Sequence, residues 1–200
     1  MSIRMSNEDR KRQIKERAGE LFVKQGFQRT SMQDIVTATK LSRGGVYYHY
    51  DSTLDILYDL MLEGQHYRMD IMKEYAKAHS DGSTMDVLVD GITEKILADN
   101  QWIPLYVIFL QEKKDNPKLE KLFLKLKCTA LEDLRKYLRQ DTEVSSFLQN
   151  FDFLTDFINS FILGSEILGA RERFTENRDL IKKMVRLSLK HTKSSQVSDC

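Results

Sequence analysis

Residues 30–50, TSMQDIVTATKLSRGGVYYHY, constrain the fold of this chain more than any other segment. Thr30 or Ser31 can cap a helix with an apolar buried side, because a serine or threonine hydroxyl accepts hydrogen bonds from the backbone N–H groups of the first turn. Ser42 is placed to cap a second helix that begins at Arg43. About three residues therefore separate the two helices, which is the spacing of a helix-turn-helix.

The second of these helices is the candidate for reading DNA. Val46 and Tyr50 lie four residues apart on one helix face and are predicted to pack inward, which leaves the other side chains exposed. Arg43 can donate two hydrogen bonds to guanine, whereas hydroxyl and imidazole groups are typical phosphate donors. The predicted DNA-binding residues are Thr30, Ser31, Ser42, Arg43, Gly44, Tyr47, Tyr48 and His49.

Gly44 and Gly45 stand together at the start of this helix. Each glycine lowers helix propensity by about 1 kcal/mol relative to alanine, so both positions require a reason. Close approach of the backbone to a nucleic-acid surface supplies one, because glycine has no Cβ to hold that surface away.

Charge is distributed unevenly along the chain. Residues 1–50 contain ten Lys and Arg against five Asp and Glu, a net charge of about +5, and the remainder carries about −4 because the total is +1. A basic first quarter on a mildly acidic body is typical of a protein that binds DNA with one end only. A solvated basic arm is the alternative interpretation of these charges.

This first part of the chain resembles the DNA-binding domain of the TetR family of bacterial transcriptional regulators. The residues that carry the resemblance, in roughly the first quarter of the chain, are Gly26-Phe27, Thr30-Ser31-Met32, Ile35 and Ser42-Arg43-Gly44-Gly45-Val46-Tyr47-Tyr48-His49-Tyr50. The family pattern usually continues with a lysine two or three residues further on, where it contacts a phosphate. This chain has Asp51-Ser52-Thr53 there, so we expect the start of the next helix to add little affinity, although Ser52 or Thr53 can cap it.

The whole chain is predicted to be all-α, with about nine helices. Its 200 residues are 41% hydrophobic, Pro104 and Pro117 are the only prolines, and no alternating β pattern is evident. The predicted helices are 8–25, the two of the helix-turn-helix, 52–77, 84–98, 103–114, 117–140, 151–173 and 178–191.

We divide the chain into a helix-turn-helix domain at residues 1–51, an effector-binding and dimerisation domain at residues 52–193, and a flexible tail at residues 194–200. Helix 52–77 would link the first two. No stretch approaches the roughly 18 continuous apolar residues that a membrane span needs, and the N-terminus lacks the apolar core of a secretory signal. We therefore expect a cytoplasmic protein that does not bind membranes.

Helices 151–173 and 178–191 form the predicted dimer interface. Apolar residues recur there at steps of three and four, and small residues would let a second helix approach closely. The predicted interface residues are Leu154, Ile158, Phe161, Ile162, Ser165, Leu168 and Gly169. Members of the resembled family pair in this region, and a palindrome requires two reading helices one helical turn apart. Packing within one chain is the alternative role for these residues.

Aromatic side chains in the body are candidates for an effector pocket, which the resemblance to the TetR family implies. The predicted effector-binding residues are Trp102, Tyr106, Phe109, Phe123, Tyr137, Phe153, Phe157 and Asn159. Asn159 would supply a polar group, and the aromatic residues would surround a small apolar or amphipathic molecule. The same spacing also fits ordinary core packing, so both interpretations stay open.

Catalytic and metal-binding functions have much weaker support. Glu63, His66 and Asp70 lie on one helical face, but no second histidine joins them and an exposed charged stripe explains them better. The sequence contains neither a phosphate-binding glycine loop nor a Gly-x-Ser-x-Gly motif. We expect no cofactor, no metal and no enzymatic activity.

The sequence thus predicts a homodimeric transcriptional regulator, specifically a repressor that binds a palindromic operator in double-stranded DNA and is released by a small-molecule effector. Effector binding would tilt helix 52–77 and change the separation of two reading helices that must fit major grooves about 34 to 36 Å apart. The alternative is an activator or co-regulator whose helical body binds a protein partner instead of a small molecule.

Overall fold

The computed structural model describes residues 6–78, 83–138 and 151–190, and the regular structure of these residues consists of ten α-helices, one short 3-10 helix (Phe27–Arg29) and no strand. The helices are α1 (Asn7–Gln25), α2 (Met32–Thr39), α3 (Arg43–Tyr47), α4 (Thr53–Ala78), α5 (Thr84–Leu97), α6 (Trp102–Glu112), α7 (Pro117–Leu138), α8 (Phe151–Ile167), α9 (Arg171–Glu176) and α10 (Arg178–Lys190). The all-α prediction is confirmed. The predicted tail, residues 194–200, lies outside the described residues. None of the described helices has both the length and the apolar character that crossing a bilayer demands.

Four helices begin with the same pair, a serine followed three residues later by an aspartate. The pairs are Ser6 and Asp9, Ser31 and Asp34, Ser52 and Asp55, and Ser83 and Asp86. In each pair the hydroxyl accepts from the aspartate backbone N–H at 3.0–3.2 Å and donates to the carboxylate at 2.6–2.7 Å. These bonds satisfy N–H groups that would otherwise lack a partner, and so they determine where α1, α2, α4 and α5 start.

A glycine divides the helix that was predicted over residues 151–173. α8 ends at Ile167, Gly169 takes a left-handed conformation at φ 61°, and α9 follows from Arg171. The Ala170 N–H donates to the Gly164 carbonyl oxygen at 3.2 Å, which is the bond that closes a helix end around a left-handed glycine. The prediction of one continuous helix is therefore wrong, and this break accounts for the tenth helix.

The described residues form two compact units, the first of which contains the chain up to His66 together with Pro104–Leu122. Fully buried side chains in this unit include Ile14, Phe22, Ile35, Val46, Leu57, Phe109 and Leu119. Side-chain contacts join Gln28 to Glu112 and Lys118 to Asp55. The first unit is therefore larger than the predicted domain 1–51, because parts of α4, α6 and α7 pack with the helix-turn-helix.

The second unit contains residues 67–103 and the described residues from Phe123 onward. In this unit α5 packs against α8, α9 and α10. Three acidic residues of α5, spaced four apart, meet three basic residues of α10 in reverse order. The pairs are Asp86 with Arg186, Asp90 with Lys182, and Glu94 with Arg178. The reversed order makes the two helices antiparallel and places the charges of α5 on a single face.

Candidate nucleic-acid interface

The turn between α2 and α3 has the predicted length. α2 ends at Thr39 and α3 begins at Arg43, so three residues separate the helices. Lys40 adopts the left-handed conformation at φ 56° and ends α2. Ser42 accepts a hydrogen bond from the Gly45 backbone N–H at 3.1 Å and so caps α3. The two helices therefore form a helix-turn-helix.

Two buried side chains hold α3 and the residues after it against the first unit. Val46 and Tyr50 are buried, which confirms their predicted orientation. The Tyr50 hydroxyl donates to Asp59 Oδ2 at 2.6 Å, and Lys11 Nζ lies 3.0 Å from the same oxygen. Burial alone would raise the pKa of Asp59, but the hydrogen bonds from Tyr50 and Lys11 outweigh burial and lower it. The ionised carboxylate therefore links α1, α4 and the end of the helix-turn-helix.

The outer side of α3 and the residue after it carries Arg43, Gly44, Tyr47 and Tyr48, all exposed, with His49 half-buried beside them. We call these five residues the reading surface. The Arg43 guanidinium lies 5.4 Å from the centre of the Tyr47 ring, a cation–π distance. Tyr48 is 74% exposed and meets the His49 ring edge-on at 5.1 Å. A cation, two phenols and an imidazole thus lie together where base edges and phosphates could be contacted.

Thr30 lies away from the reading surface. Its side chain is buried, and its hydroxyl donates to the Gly26 carbonyl oxygen at 2.8 Å and accepts from Gln25 at 3.3 Å. The predicted DNA contact from Thr30 is therefore corrected, because its hydroxyl is already engaged inside the first unit. Of the two candidate caps, Ser31 caps α2 and forms a reciprocal capping box with Asp34. Ser31 and Ser42 are exposed beside the reading surface.

The two adjacent glycines of α3 have different surroundings. A Cβ on Gly45 would lie 3.1 Å from Ser42 Oγ, so the cap of α3 itself disfavours a side chain there. A Cβ on Gly44 would meet nothing within 4 Å. The Ser42 contact within the chain therefore explains why position 45 is glycine. Close approach of the backbone to nucleic acid is needed as an explanation for the glycine at position 44 alone.

Lys40 is a candidate contact that the sequence analysis missed. It is exposed, and it stands in the turn between α2 and α3, next to the reading surface along the chain. The sequence carries a signal for this contact, because Lys40 falls in the short turn that the two predicted helices leave between them. Its charge would favour phosphate contact.

The start of α4 is occupied by contacts within the chain. Ser52 both accepts from the Asp55 N–H and donates to the Asp55 carboxylate, and it is therefore the cap that the sequence left open between Ser52 and Thr53. Asp55 also contacts Lys118 of α7. The hydrogen bonds from Lys118 and Ser52 lower the pKa of Asp55, so the carboxylate stays ionised. This arrangement fits the expectation that the start of α4 contributes little to DNA affinity.

The residues predicted to bind an effector are divided between the two units. Tyr106 and Phe109 are buried in the first unit, with ring centres 6.1 Å apart. Trp102, Phe123, Phe157 and Asn159 belong to the second unit. Phe153 also belongs there, but it is 58% exposed, so the prediction that it lines an internal cavity is corrected. The side chain of Tyr137 lies outside the described residues.

The residues predicted for a dimer interface also separate into two sets. Leu154, Ile158, Ile162 and Ser165 are buried inside their own chain. These four are corrected to core residues of the second unit, because a buried side chain is not available to a second copy. Phe161 is half-buried and packs edge-on against Phe174 at 4.9 Å. Leu168 and Gly169 are exposed.

The three residues considered as metal ligands do not form a metal site in the described part of the chain. Glu63 contacts Lys15, and Asp70 lies 3.3 Å from Lys73. No group of three or more His, Cys, Asp or Glu side chains suited to a metal ion occurs among the described residues. Ion pairs account for both carboxylates.

A protein-family model matches the part of the chain that carries the reading surface. The model describes bacterial regulatory proteins of the tetR family and matches residues 14–59. Residues 14–59 are thus similar to the DNA-binding part of tetR-family regulators. A curated relative of this chain is the uncharacterised HTH-type transcriptional regulator YfiR from Bacillus subtilis (strain 168), which is 29% identical over 85 residues. The match spans 42% of this chain and 42% of that relative's length.

Solved structures resemble this chain over most of its length. GusR from Salmonella enterica has a TM-score of 0.72 at 20% identity, over 92% of this chain and 96% of GusR. A transcriptional regulator from Saccharomonospora viridis, solved in complex with choline, has a TM-score of 0.52 at 18% identity, over 78% of this chain and 96% of that one. At such identities the likeness shows the shared all-α fold.

Proposed function

We propose that this chain is a tetR-family repressor that binds a palindromic operator as a homodimer and is released when a small molecule binds its second unit. The observation that carries the proposal is the reading surface, which presents a cation and hydroxyl groups on a helix anchored through Tyr50 and Asp59. Such a regulator would act where the chromosome is, in the cytoplasm.

Arg43 is the residue proposed to read bases. Its position over the Tyr47 ring limits the conformations of the guanidinium, so less side-chain entropy is lost when it donates to guanine O6 and N7. Tyr48, His49 and Lys40 are proposed to contact phosphates, which position α3 without reading sequence. Gly44 lets the backbone of α3 approach the DNA, because no Cβ stands there.

The proposed dimer interface centres on α10. Leu180, Met184 and Leu187 are exposed at steps of four and three, so they form one apolar stripe on the helix. Ile167 and Leu168 at the end of α8 are exposed in the same unit. A large exposed apolar surface is costly in water unless a partner covers it, and a second copy of the chain supplies an identical stripe.

Release by an effector is proposed to involve α4, because this helix contributes residues to both units. The Saccharomonospora viridis regulator with bound choline supports a small molecule as the effector of this fold. An effector that prefers the non-binding conformation by about 2–3 kcal/mol would weaken operator binding roughly 30- to 150-fold. A co-regulator that binds another protein through the α10 stripe is the second candidate.

The experiment that tests the proposal is selection of DNA from a random pool by the purified protein at about 150 mM salt, which suppresses non-specific binding. We expect an enriched palindrome with half-sites about 10 base pairs apart. Arg43→Ala should relax one position in each half-site, whereas Arg173→Ala, which removes an exposed arginine of the second unit, should leave the selected sequence unchanged. A folded protein that enriches no sequence would contradict the proposal.

Oligomeric state tests the interface and distinguishes the two candidates. Leu187→Glu should convert a dimer to a monomer in light scattering and weaken palindrome binding, because it places two charges in the proposed contact. Asp179→Lys, at an exposed position on the same helix that is not three or four residues from any member of the stripe, is the control. A wild-type protein that is monomeric would instead favour the co-regulator.

A further inference from the structure

Lys95 is a charged residue on the buried face of α5. Side chains at i−3, i−4 and i−7 share a helix face with it, and the residues at those positions, Ile92, Gly91 and Leu88, are all buried. Lys95 itself is half-buried. A lysine in such a position normally has a carboxylate partner, because an unpaired ammonium in apolar surroundings is unfavourable.

The acidic residues of α5 are not available to Lys95. Asp86, Asp90 and Glu94 lie on the face that meets α10, and each is paired with a basic residue of that helix. Asp99 lies two residues beyond the end of α5, and its carboxylate is 3.7 Å from Arg171 Nε. The α5 acids are therefore already neutralised by other cations.

Arg171 also contacts other polar groups beyond the carboxyl end of α5. Besides Asp99, it contacts the Glu166 carboxylate at the end of α8 and donates to the carbonyl oxygen of Ala98. Arg171 therefore joins the carboxyl ends of α5 and α8. Among the described residues, Lys95 has no hydrogen-bond or ion-pair partner.

Ser165, in the same unit, is a second polar residue without a hydrogen-bond partner among the described residues. Its Oγ is buried and makes no hydrogen bond within the described residues. Ser165 directly precedes Glu166, and Ala98, the first residue after α5, lies three residues beyond Lys95. Because Arg171 contacts both Glu166 and Ala98, Lys95 and Ser165 lie within about one helical turn of the same cluster.

The electrostatic surroundings of Lys95 favour an anion. Burial lowers the pKa of Lys95 to about 7, with a smaller contribution from the Arg68 guanidinium of α4. Two positive side chains are thus close enough to affect each other inside one unit. A negative group beside Lys95 would raise the pKa of Lys95 again and so keep its ammonium group charged.

We infer that Lys95 and Ser165 bind the carboxylate of an amphipathic effector, an inference that rests on the proposed function. The Lys95 ammonium donates a charged hydrogen bond to one carboxylate oxygen, and the Ser165 hydroxyl donates to the other. Apolar residues of α5 and α8, among them Ile92 and Ile162, contact the hydrocarbon part of the ligand. The positive charge of Arg68 excludes cations.

The test is calorimetric titration of the full-length protein with three probes at pH 6.5: octanoate, octan-1-ol and choline. Octanoate should bind, octan-1-ol should bind more weakly, and choline should not bind. Lys95→Met keeps the aliphatic length and removes the charge, so it should weaken octanoate about ten- to a hundredfold, as expected for loss of a charged hydrogen bond. It should leave octan-1-ol binding unchanged. Lys183→Met, at an exposed position of α10, should behave as wild type.

Dependence on pH separates a charge contact from simple packing. Lys95 loses its proton over the range from pH 6.5 to 8.5 in the free protein, and the charged groups nearest to it along this end of the unit are Arg68, Arg171, Asp99 and Glu166. Octanoate affinity should therefore fall about 25-fold between these pH values if the bound ammonium stays protonated. Octan-1-ol affinity should not change.

Two further variants keep the inference testable if Lys95→Met folds poorly. Lys95→Arg should keep octanoate binding within a few fold, and Ser165→Ala should weaken it by about three- to tenfold. Binding of choline as tight as octanoate, absence of octanoate binding to wild type, or equal octanoate affinity in wild type and Lys95→Met would each overturn the inference. DNA selection is measured separately, so an enriched palindrome without octanoate binding rejects this site and leaves the repressor intact.

Discussion

Replacement of Tyr50 by phenylalanine should destabilise the protein by an amount that depends on pH. The hydroxyl of Tyr50 lies 2.6 Å from Asp59 Oδ2, and a hydrogen bond to a charged group contributes about 1.5–3 kcal/mol. The side chain of Asp59 is 24% exposed and Lys11 remains beside it, so we expect a loss at or just below the lower end of this range, about 1–2 kcal/mol. For a chain of this length the melting temperature should fall by roughly 2–8 °C.

The pH dependence follows from the lowered pKa of Asp59. A carboxylate whose pKa is lower in the folded state stabilises the protein above its unfolded pKa, near about 3.9, and loses that contribution as the pH falls through the folded value. The difference between wild type and Tyr50→Phe should therefore be constant from about pH 8 to 5 and shrink below about pH 4. Burial and Asp59 raise the pKa of Tyr50, so the phenol remains a donor throughout.

Urea unfolding followed by circular dichroism at several pH values measures this difference. Tyr48→Phe is the matched control, because Tyr48 is exposed and removal of its hydroxyl should change stability by less than about 0.5 kcal/mol. The two variants should behave oppositely on DNA, where Tyr48→Phe weakens binding through a lost phosphate contact. Equal stability of the two variants at pH 7, or a Tyr50→Phe deficit that persists undiminished at pH 3, would refute the reasoning.

Gly44→Ala should stabilise α3 by about 0.5–1 kcal/mol yet weaken operator binding. Gly45→Ala should be about 1 kcal/mol less stable than Gly44→Ala, because its methyl group crowds the Ser42 hydroxyl that caps α3. Urea unfolding and operator titrations check both variants, and an unchanged operator affinity of Gly44→Ala would contradict the role proposed for Gly44. Ser31→Ala should cost about 1 kcal/mol through loss of the α2 cap, as measured by urea unfolding. The double variant Asp90→Lys with Lys182→Asp, which exchanges the two charges, should recover most of the stability that Asp90→Lys alone loses. A double-mutant cycle should give a coupling energy of about 0.5–1 kcal/mol, and a coupling energy of zero would contradict the α5–α10 pairing.

The sequence predicted the helix-turn-helix well because its signals are local. Caps, the turn of three residues and the inward positions of Val46 and Tyr50 each depend on residues within one or two helical turns. The repeated Ser-x-x-Asp starts of α1, α2, α4 and α5 are local signals of the same kind. The helix break at Gly169 was missed, because a glycine in an apolar helical pattern is also compatible with a continuous helix.

The sequence could not assign the body residues to interior or surface. Ser165 was predicted at a dimer interface and is buried, whereas Phe153 was predicted in a pocket and is exposed. Both lie on α8, where apolar residues occur on more than one face, so periodicity alone does not say which face meets α5. The sequence also could not show that Thr30 is buried. Its hydroxyl donates to the Gly26 carbonyl oxygen across the turn after α1, so the side chain points into the first unit and not toward DNA.

The sequence by itself therefore determined the fold class, the family of the N-terminal domain and most of the reading surface, because short-range hydrogen bonding and helix geometry specify them. The tertiary structure decided which charges are paired. Asp86, Asp90 and Glu94 are three acids on a helix until α10 supplies their partners in reverse order. Because α10 takes up all three acids, none of them is left to pair with Lys95. The sequence does not show this, since ion pairing depends on distances between helices that are far apart in the chain.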